Sequence, residues 1–159
     1  MEYGICLNPL IPLRAEPTEK SEMTDQMLFG EAFEILQLNG KWKYIKRCSD
    51  AYEGWLNSRH HLQCSQDEIN QMRDTPSYTL PLPFTRLTVG NNSLILPAGS
   101  ILPTPDRENK IFRIGNQDYS LQETLMEKGK DKRRLIEHTA RQFINAPYVW
   151  GGKTIFGMD

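Results

Sequence analysis

The sequence predicts a mainly β chain, with two small barrels followed by a single C-terminal helix. Three observations carry this expectation. Short runs of about five to seven residues alternate apolar and polar side chains at period two. Gly, Asn and Pro turn signals separate those runs. Only one stretch, beginning near Lys128, places apolar residues at the spacing of a long helix.

The first barrel is assigned to residues 1–65, with its strands between Leu13 and about Leu62. "EAFEILQL" alternates at period two, and Asn39-Gly40 offers a tight hairpin turn. "KWKYIKRC" answers it with Trp42 and Tyr44 on one face, and "DAYEGWL" adds a turn and a strand carrying Trp55, expected in the barrel core. Short aromatic-rich strands of this kind suit a small closed barrel. Residues 66–77 are polar and aromatic-free, and read as a connector with some helix.

The second barrel is assigned to residues 78–127. Its strands are "LTV", "NNSLILPAGSILPT" and "KIFRIGNQDYSL", with turns at Gly90-Asn91-Asn92, Pro97-Ala98-Gly99 and Gly115-Asn116. The two halves share length and grain without a residue-level repeat. Residues 128–159 change character. Leu135, Ile136, Thr139, Ala140, Phe143 and Ile144 share a helical face, Asp131 can cap its start, and Pro147 should end it.

Composition excludes some functions. Nineteen Lys+Arg stand against twenty Asp+Glu, which points to neither a nucleic-acid nor a strongly acidic partner. The basic run "KGKDKRR" (Lys128 to Arg134) is short and reads as a solvated linker. No stretch approaches the roughly 20 apolar residues of a membrane span. The N-terminal "MEYGICLNPLIPLRAEP" lacks a basic region and is broken by Pro9 and Pro12, so it makes a poor signal peptide. Cys6, Cys48 and Cys64 are odd in number and unpaired in spacing, which favours reduced thiols and a cytoplasmic over a periplasmic location. "RHHLQC" (Arg59 to Cys64) gathers His60, His61 and Cys64 but lacks a fourth ligand, so no metal and no cofactor is expected.

The last residues carry a resemblance. "APYVWGGKTIFGMD" (Ala146 to Asp159) resembles the opening of the catalytic domain in NlpC-type cysteine peptidases, whose motif runs Tyr-x-Trp-Gly-Gly, several variable residues, then Asp-Cys-Ser-Gly. The match runs from Tyr148 through Asp159. Upstream, "IPLRAEP" (Ile11 to Pro17), "SEMTDQMLFGE" (Ser21 to Glu31) and "DAYEGW" (Asp50 to Trp55) are similar to the bacterial SH3-like barrels that precede that domain, and "LPAGSILP" matches the second barrel. The resemblance implies two SH3-like barrels, then a helix that begins a papain-like α/β domain truncated before its nucleophile. The catalytic Cys would directly follow Asp159, so no residue of this chain is catalytic, and Gly151 to Asp159 should lack packing partners. Neither His60, His61 nor His138 matches the family's catalytic His.

The resemblance also implies a substrate, a bacterial muropeptide cut at its γ-D-glutamyl–diamino-acid bond. Cys–His amide hydrolysis needs a thiolate, a base and oxyanion donors. Asp159 corresponds to the residue that binds the free α-ammonium of the leading L-Ala, or is a plain helix N-cap. Tyr148, eleven residues earlier, would donate its phenol near the scissile carbonyl, or else anchor the helix end. Tyr52 corresponds to a turn tyrosine that closes the cleft and blocks cross-linked polymer, or is a surface aromatic. Glu53, and less so Glu16 and Glu22, could add a carboxylate for the ammonium. Trp150, Gly151 and Gly152 read as architectural.

Three functions follow for comparison. The first is the substrate-restricting N-terminal region of a cysteine peptidase, inactive by itself. The second is a non-catalytic SH3-like module that binds cell-wall peptide or protein. The third is a papain-like enzyme of other acyl chemistry. The diamino acid and the oligomeric state are left open.

Overall fold

The computed structural model describes residues 2–57, 61–106, 108–122 and 132–159, and is mainly β. A seven-stranded antiparallel sheet forms the first barrel. Its strands are β1 (Glu2–Cys6), β2 (Leu10–Arg14), β3 (Met23–Leu28), β4 (Ala32–Asn39), β5 (Trp42–Arg47), β6 (Glu53–Asn57) and β7 (His61–Cys64). Their spatial order is β3-β2-β6-β5-β4-β1-β7. Cys6, Ile11, Leu13, Met27, Phe33, Ile45 and Leu56 fill its interior.

Next comes helix α1 (Gln66–Asp74), then β8 (Ser77–Thr79), β9 (Phe84–Val89), β10 (Asn92–Pro97), β11 (Ile101–Pro103), β12 (Ile111–Ile114) and β13 (Gln117–Leu121). Four of these strands pair in the order β10-β9-β13-β12, and β8 pairs with β11. Helix α1 begins with a complete capping box, in which Ser65 and Glu68 satisfy each other's backbone N–H groups. Its Ile69 enters the second core, so the expected connector is a wall of the second barrel.

Three hairpins have two-residue loops that open with a glycine at positive φ, namely Gly40 (56°), Gly90 (54°) and Gly115 (56°). Glycine enters that region without steric cost, which fits the twist of the flanking strands. In β4 a bulge between Ile35 and Gln37 breaks the alternation, leaving Leu36 and Leu38 exposed.

Strand β1 lies, and β2 begins, before Leu13, where the predicted strands of the first barrel start, and β1 lies between two cores. Tyr3 and Ile5 join Phe29 in the second core, while Cys6 points into the first. Burial on both faces removes the period-two signal. The barrels also touch through backbone, with the Ile101 N–H donating to the Phe29 carbonyl at 2.8 Å. A Cβ on Gly30 would sit 1.8 Å from the Ile101 oxygen. Trp55 corrects the expected core. It lies half-exposed against Tyr44, with ring centroids 5.1 Å apart, and its neighbour Leu56 is fully buried instead.

Helix α2 (Lys132–Arg141) is shorter than the predicted face. Past Arg141 the chain tightens into i→i−3 bonds, from Gln142 N–H to Thr139 and from Phe143 N–H to Ala140, before Pro147. Ile136 and Ile144 on this segment are about two-thirds exposed, at 67% and 70%. Asp131, the expected cap, and most of the basic run lie outside the described residues. The chain ends in a small hairpin, β14 (Lys153–Thr154) with β15 (Gly157–Met158).

Candidate functional site

Strand β3 contains two polar residues that are nearly buried, Asp25 and Gln26. Asp is depleted in strands, so its presence there calls for a partner. Arg47 at the end of β5 provides one. Its side chain is 3% exposed, and its Nη2 donates to Asp25 Oδ2 at 2.6 Å and to Asp50 Oδ2 at 2.7 Å. Nε completes a bidentate grip on Asp50 at 2.8 Å, and Nη1 donates to the Gln26 carbonyl at 3.2 Å. Glu31 Oε2 lies 3.7 Å from Nη1 and accepts the Leu28 N–H at 2.7 Å.

The surroundings shift these groups in opposite directions. Burial pulls the Arg47 guanidinium down, but the bonds to Asp50 and Asp25 and the charge of Glu31 outweigh it, so its value is raised. The Arg47 bond holds Asp50 below the usual carboxylate range. Burial pushes Glu31 up despite the Leu28 N–H and the charges of Arg47 and Lys153.

The Tyr148–Asp159 segment lies on this part of the barrel. Gly151, at φ 69°, runs so close to β3 that a Cβ would be 2.9 Å from Thr24 C and 3.0 Å from Asp25 N. The Lys153 N–H donates to Gln26 Oε1 at 2.8 Å, and its ammonium donates to Asp25 Oδ2 at 2.9 Å. Gly151, Gly152 and Gly157 are buried. The segment therefore has packing partners, contrary to expectation, because the first barrel itself supplies them.

Asp159 and Tyr148 meet. The Asp159 carboxylate accepts the Gly151 N–H at 3.0 Å, and the Tyr148 phenol lies close enough for the same carboxylate to act on it. Desolvation, then the Asp159 carboxylate, push that phenol up. Tyr148 nonetheless has 68% of its surface exposed, so it is no core anchor.

Tyr52 approaches from the barrel side. Its N–H donates to Asp50 Oδ1 at 3.1 Å and its hydroxyl to the Thr24 carbonyl at 3.1 Å, while the Arg47 guanidinium lies 5.4 Å from its ring centre. Tyr52 and Gly151 thus converge on Thr24 of β3, and the Gly151 N–H in turn holds the Asp159 carboxylate. Glu53 is placed elsewhere. Its Oε2 accepts the Tyr44 hydroxyl at 3.1 Å, on the strand face shared with Trp55. Glu16 and Glu22 are exposed. Sequence reasoning passed over Thr24, Asp25, Arg47 and Lys153, and an aspartate inside an otherwise pairing strand was the available signal.

Two cavities lie nearby. One of 370 Å³ adjoins the end segment, between Leu10, Gln26, Phe84, Ile95, Val149 and Phe156. Another of 650 Å³ lies where both barrels meet α1, lined in part by Tyr3, Glu34, Cys48, Ile69 and Arg113. Neither is lined by Tyr52, Tyr148 or Asp159.

The cysteines do not resemble nucleophiles. Burial pushes Cys6 up to about 12 and Cys64 up to about 11, and also raises Cys48. His61 Nε2 sits 3.0 Å from Lys43 Nζ, and no metal-ligand cluster occurs among the described residues. His60 lies outside them. No helix among the described residues is long and apolar enough to cross a membrane.

Residues 13–60 match the bacterial dipeptidyl-peptidase SH3 domain. The chain is 24% identical over 146 residues to a gamma-D-glutamyl-L-lysine dipeptidyl-peptidase of Bacillus subtilis (strain 168), covering 84% of this chain and 48% of the relative. It thus spans about half the length of that curated relative. Among solved structures, an NlpC/P60 family protein from Bacillus cereus ATCC 10987 superposes with a TM-score of 0.75 at 14% identity, over 99% of this chain and 68% of that one. An NlpC/P60 endopeptidase from Photobacterium damselae subsp. piscicida gives 0.71 at 19% identity, over 94% of this chain and 38% of that one. Residues 13–60 therefore match a bacterial dipeptidyl-peptidase SH3 domain, and the chain as a whole shares its fold with solved NlpC/P60 proteins.

Proposed function

We propose that this chain is the substrate-restricting N-terminal region of a cysteine peptidase. That peptidase hydrolyses the γ-D-glutamyl–diamino-acid bond of muropeptides that begin with a free L-Ala. The convergence of Tyr52 and Gly151 on Thr24 supports this reading most directly, because it sets a barrel loop beside the Tyr148–Asp159 pair. An ammonium entering there meets a carboxylate already oriented by the Gly151 N–H, with exposed aromatic surface around it. The name of the Bacillus subtilis relative agrees with this bond type.

The barrel's part is exclusion. A turn closed over the amino end admits a short peptide and leaves no path for a longer strand. Asp159 holds the ammonium and Tyr148 donates toward the carbonyl, while the thiolate, its base and the oxyanion donors come from residues after Asp159. Residues 1–159 alone leave the peptide uncut. Three unpaired thiols suit a reducing compartment, so the cytoplasm is the proposed location.

The test uses a longer product of the same gene. Together with the residues that follow Asp159, the protein should cleave L-Ala-γ-D-Glu-L-Lys, whereas residues 1–159 should not. A longer product that leaves the peptide intact, or a gene with no Cys after Asp159, overturns the proposal. Tripeptide binding by the barrels without hydrolysis by the longer product would favour a non-catalytic binding module.

A further inference from the structure

We infer that Lys153 is a positioning residue, a latch that holds the Tyr148–Asp159 segment in an acidic socket on the first barrel. The socket comes from the barrel alone. Asp25, Glu31 and Asp50 surround Arg47, so three carboxylates face one guanidinium. Asp25 and Arg47 are buried, where an unbalanced charge is costly. Lys153 supplies the second cation, at 2.8 Å from Asp25 Oδ1 and 2.9 Å from Oδ2. Its field also reaches Glu31 and Asp50.

The backbone around Lys153 is fitted to the same socket. Its N–H donates to Gln26 Oε1, on a side chain that is itself nearly buried. Gly151 contacts β3 two residues earlier at a distance no side chain would permit. The matched SH3 domain, residues 13–60, contains Asp25, Gln26, Glu31, Arg47 and Asp50, but the lysine lies far outside it. One rigid element thus captures another through a charge that the barrel lacks. The consequence for substrate, a fixed spacing between Tyr52 and the Tyr148–Asp159 pair, rests on the function proposed above. The latch itself does not.

Hydrogen exchange on the 159-residue chain tests the latch. In Lys153→Met the amides of Val149, Gly152 and Met158 should exchange about tenfold faster, with β4–β6 unchanged, while Lys153→Arg keeps most of the protection. Unchanged exchange in Lys153→Met overturns the inference. Equal loss of protection throughout the first barrel also overturns it, since Lys153 would then be a general stabiliser. In parallel, titration with L-Ala-γ-D-Glu-L-Lys should show several-fold weaker binding to Lys153→Met and near-normal binding to Lys153→Arg. If the unsubstituted chain fails to bind that peptide, the proposed function is weakened while the exchange result still decides the latch.

Discussion

The Lys153 ammonium lies 2.9 Å from Asp25 Oδ2, although 128 residues separate the two along the chain. The same carboxylate oxygen also accepts from Arg47 at 2.6 Å. One aspartate therefore joins a β-barrel to a segment far downstream. Because Asp25 is buried, removing a partner leaves an uncompensated charge and costs more than losing a surface ion pair, which typically contributes about 0–1 kcal/mol.

Arg47→Met should be the most damaging substitution in this network. It leaves Asp25 with Lys153 alone as counter-charge among the described residues and removes the bidentate partner of Asp50. Breaking one side of a buried pair costs about 3–5 kcal/mol. The urea midpoint should fall accordingly, and Arg47→Met/Asp25→Asn should recover part of the loss.

The pH windows below 3.8 and above 4.5 should act on the network through different groups. Asp50 is held below its ordinary value of 3.8, so its contribution is present above that pH and lost as pH falls beneath it. Glu31 is raised above 4.5, so it favours folding while protonated, and its contribution fades as pH rises from 4.5 through the raised value. Glu31→Gln keeps an acceptor for the Leu28 N–H and should flatten the decline in that upper window. Urea midpoints measured across pH for both proteins check this.

Gly30→Ala should loosen the contact between the barrels. Gly30 sits at φ 84°, and an added Cβ would overlap the Ile101 carbonyl. Both strain and clash oppose the change, so a cost above about 2 kcal/mol is expected. Chemical denaturation reads it. An unchanged midpoint would mean that the backbone contact is not retained in solution.

Asp159→Asn should bring the Tyr148 phenol back toward its ordinary value of 10, though not fully, because desolvation remains. Titration followed by NMR on ring-labelled tyrosine resolves this residue from Tyr3, Tyr44 and Tyr119, which are also raised. No movement of the Tyr148 curve would mean that the pair seen here does not form.

The sequence was most legible where structure is local. The turns at Gly40, Gly90 and Gly115 depend on a few neighbouring residues, and all three form hairpins. Helix α1 was legible too, since Ser65 and Glu68 spell a capping box, yet the polar stretch around it favoured reading a connector. Strand β1 was hidden because cores on both faces erase alternation. Trp55 was misplaced because size suggests burial, whereas strand parity gave the interior to Leu56. At the site, Tyr52, Tyr148 and Asp159 were reached through motif resemblance, and the contacts that follow from the structure are those of Tyr52 and Gly151 with Thr24 and of Gly151 with Asp159. Glu53 was proposed as a carboxylate for the ammonium, and in the structure its carboxylate accepts from the Tyr44 hydroxyl on the face of β6 that carries Trp55. The Asp25–Arg47–Lys153 network has no local signature, as its members come from three distant parts of the chain.

The position of β1 means that the barrels are not portable parts. Severing the chain after Cys64 would leave Tyr3, Ile5 and Phe29 facing water and would open the neighbouring interior built on Leu87, Leu96 and Tyr119. Any attempt to graft either half onto another protein has to carry this shared wall along. Their separateness is one of sequence pattern, whereas the interior of the second is completed by side chains from the first.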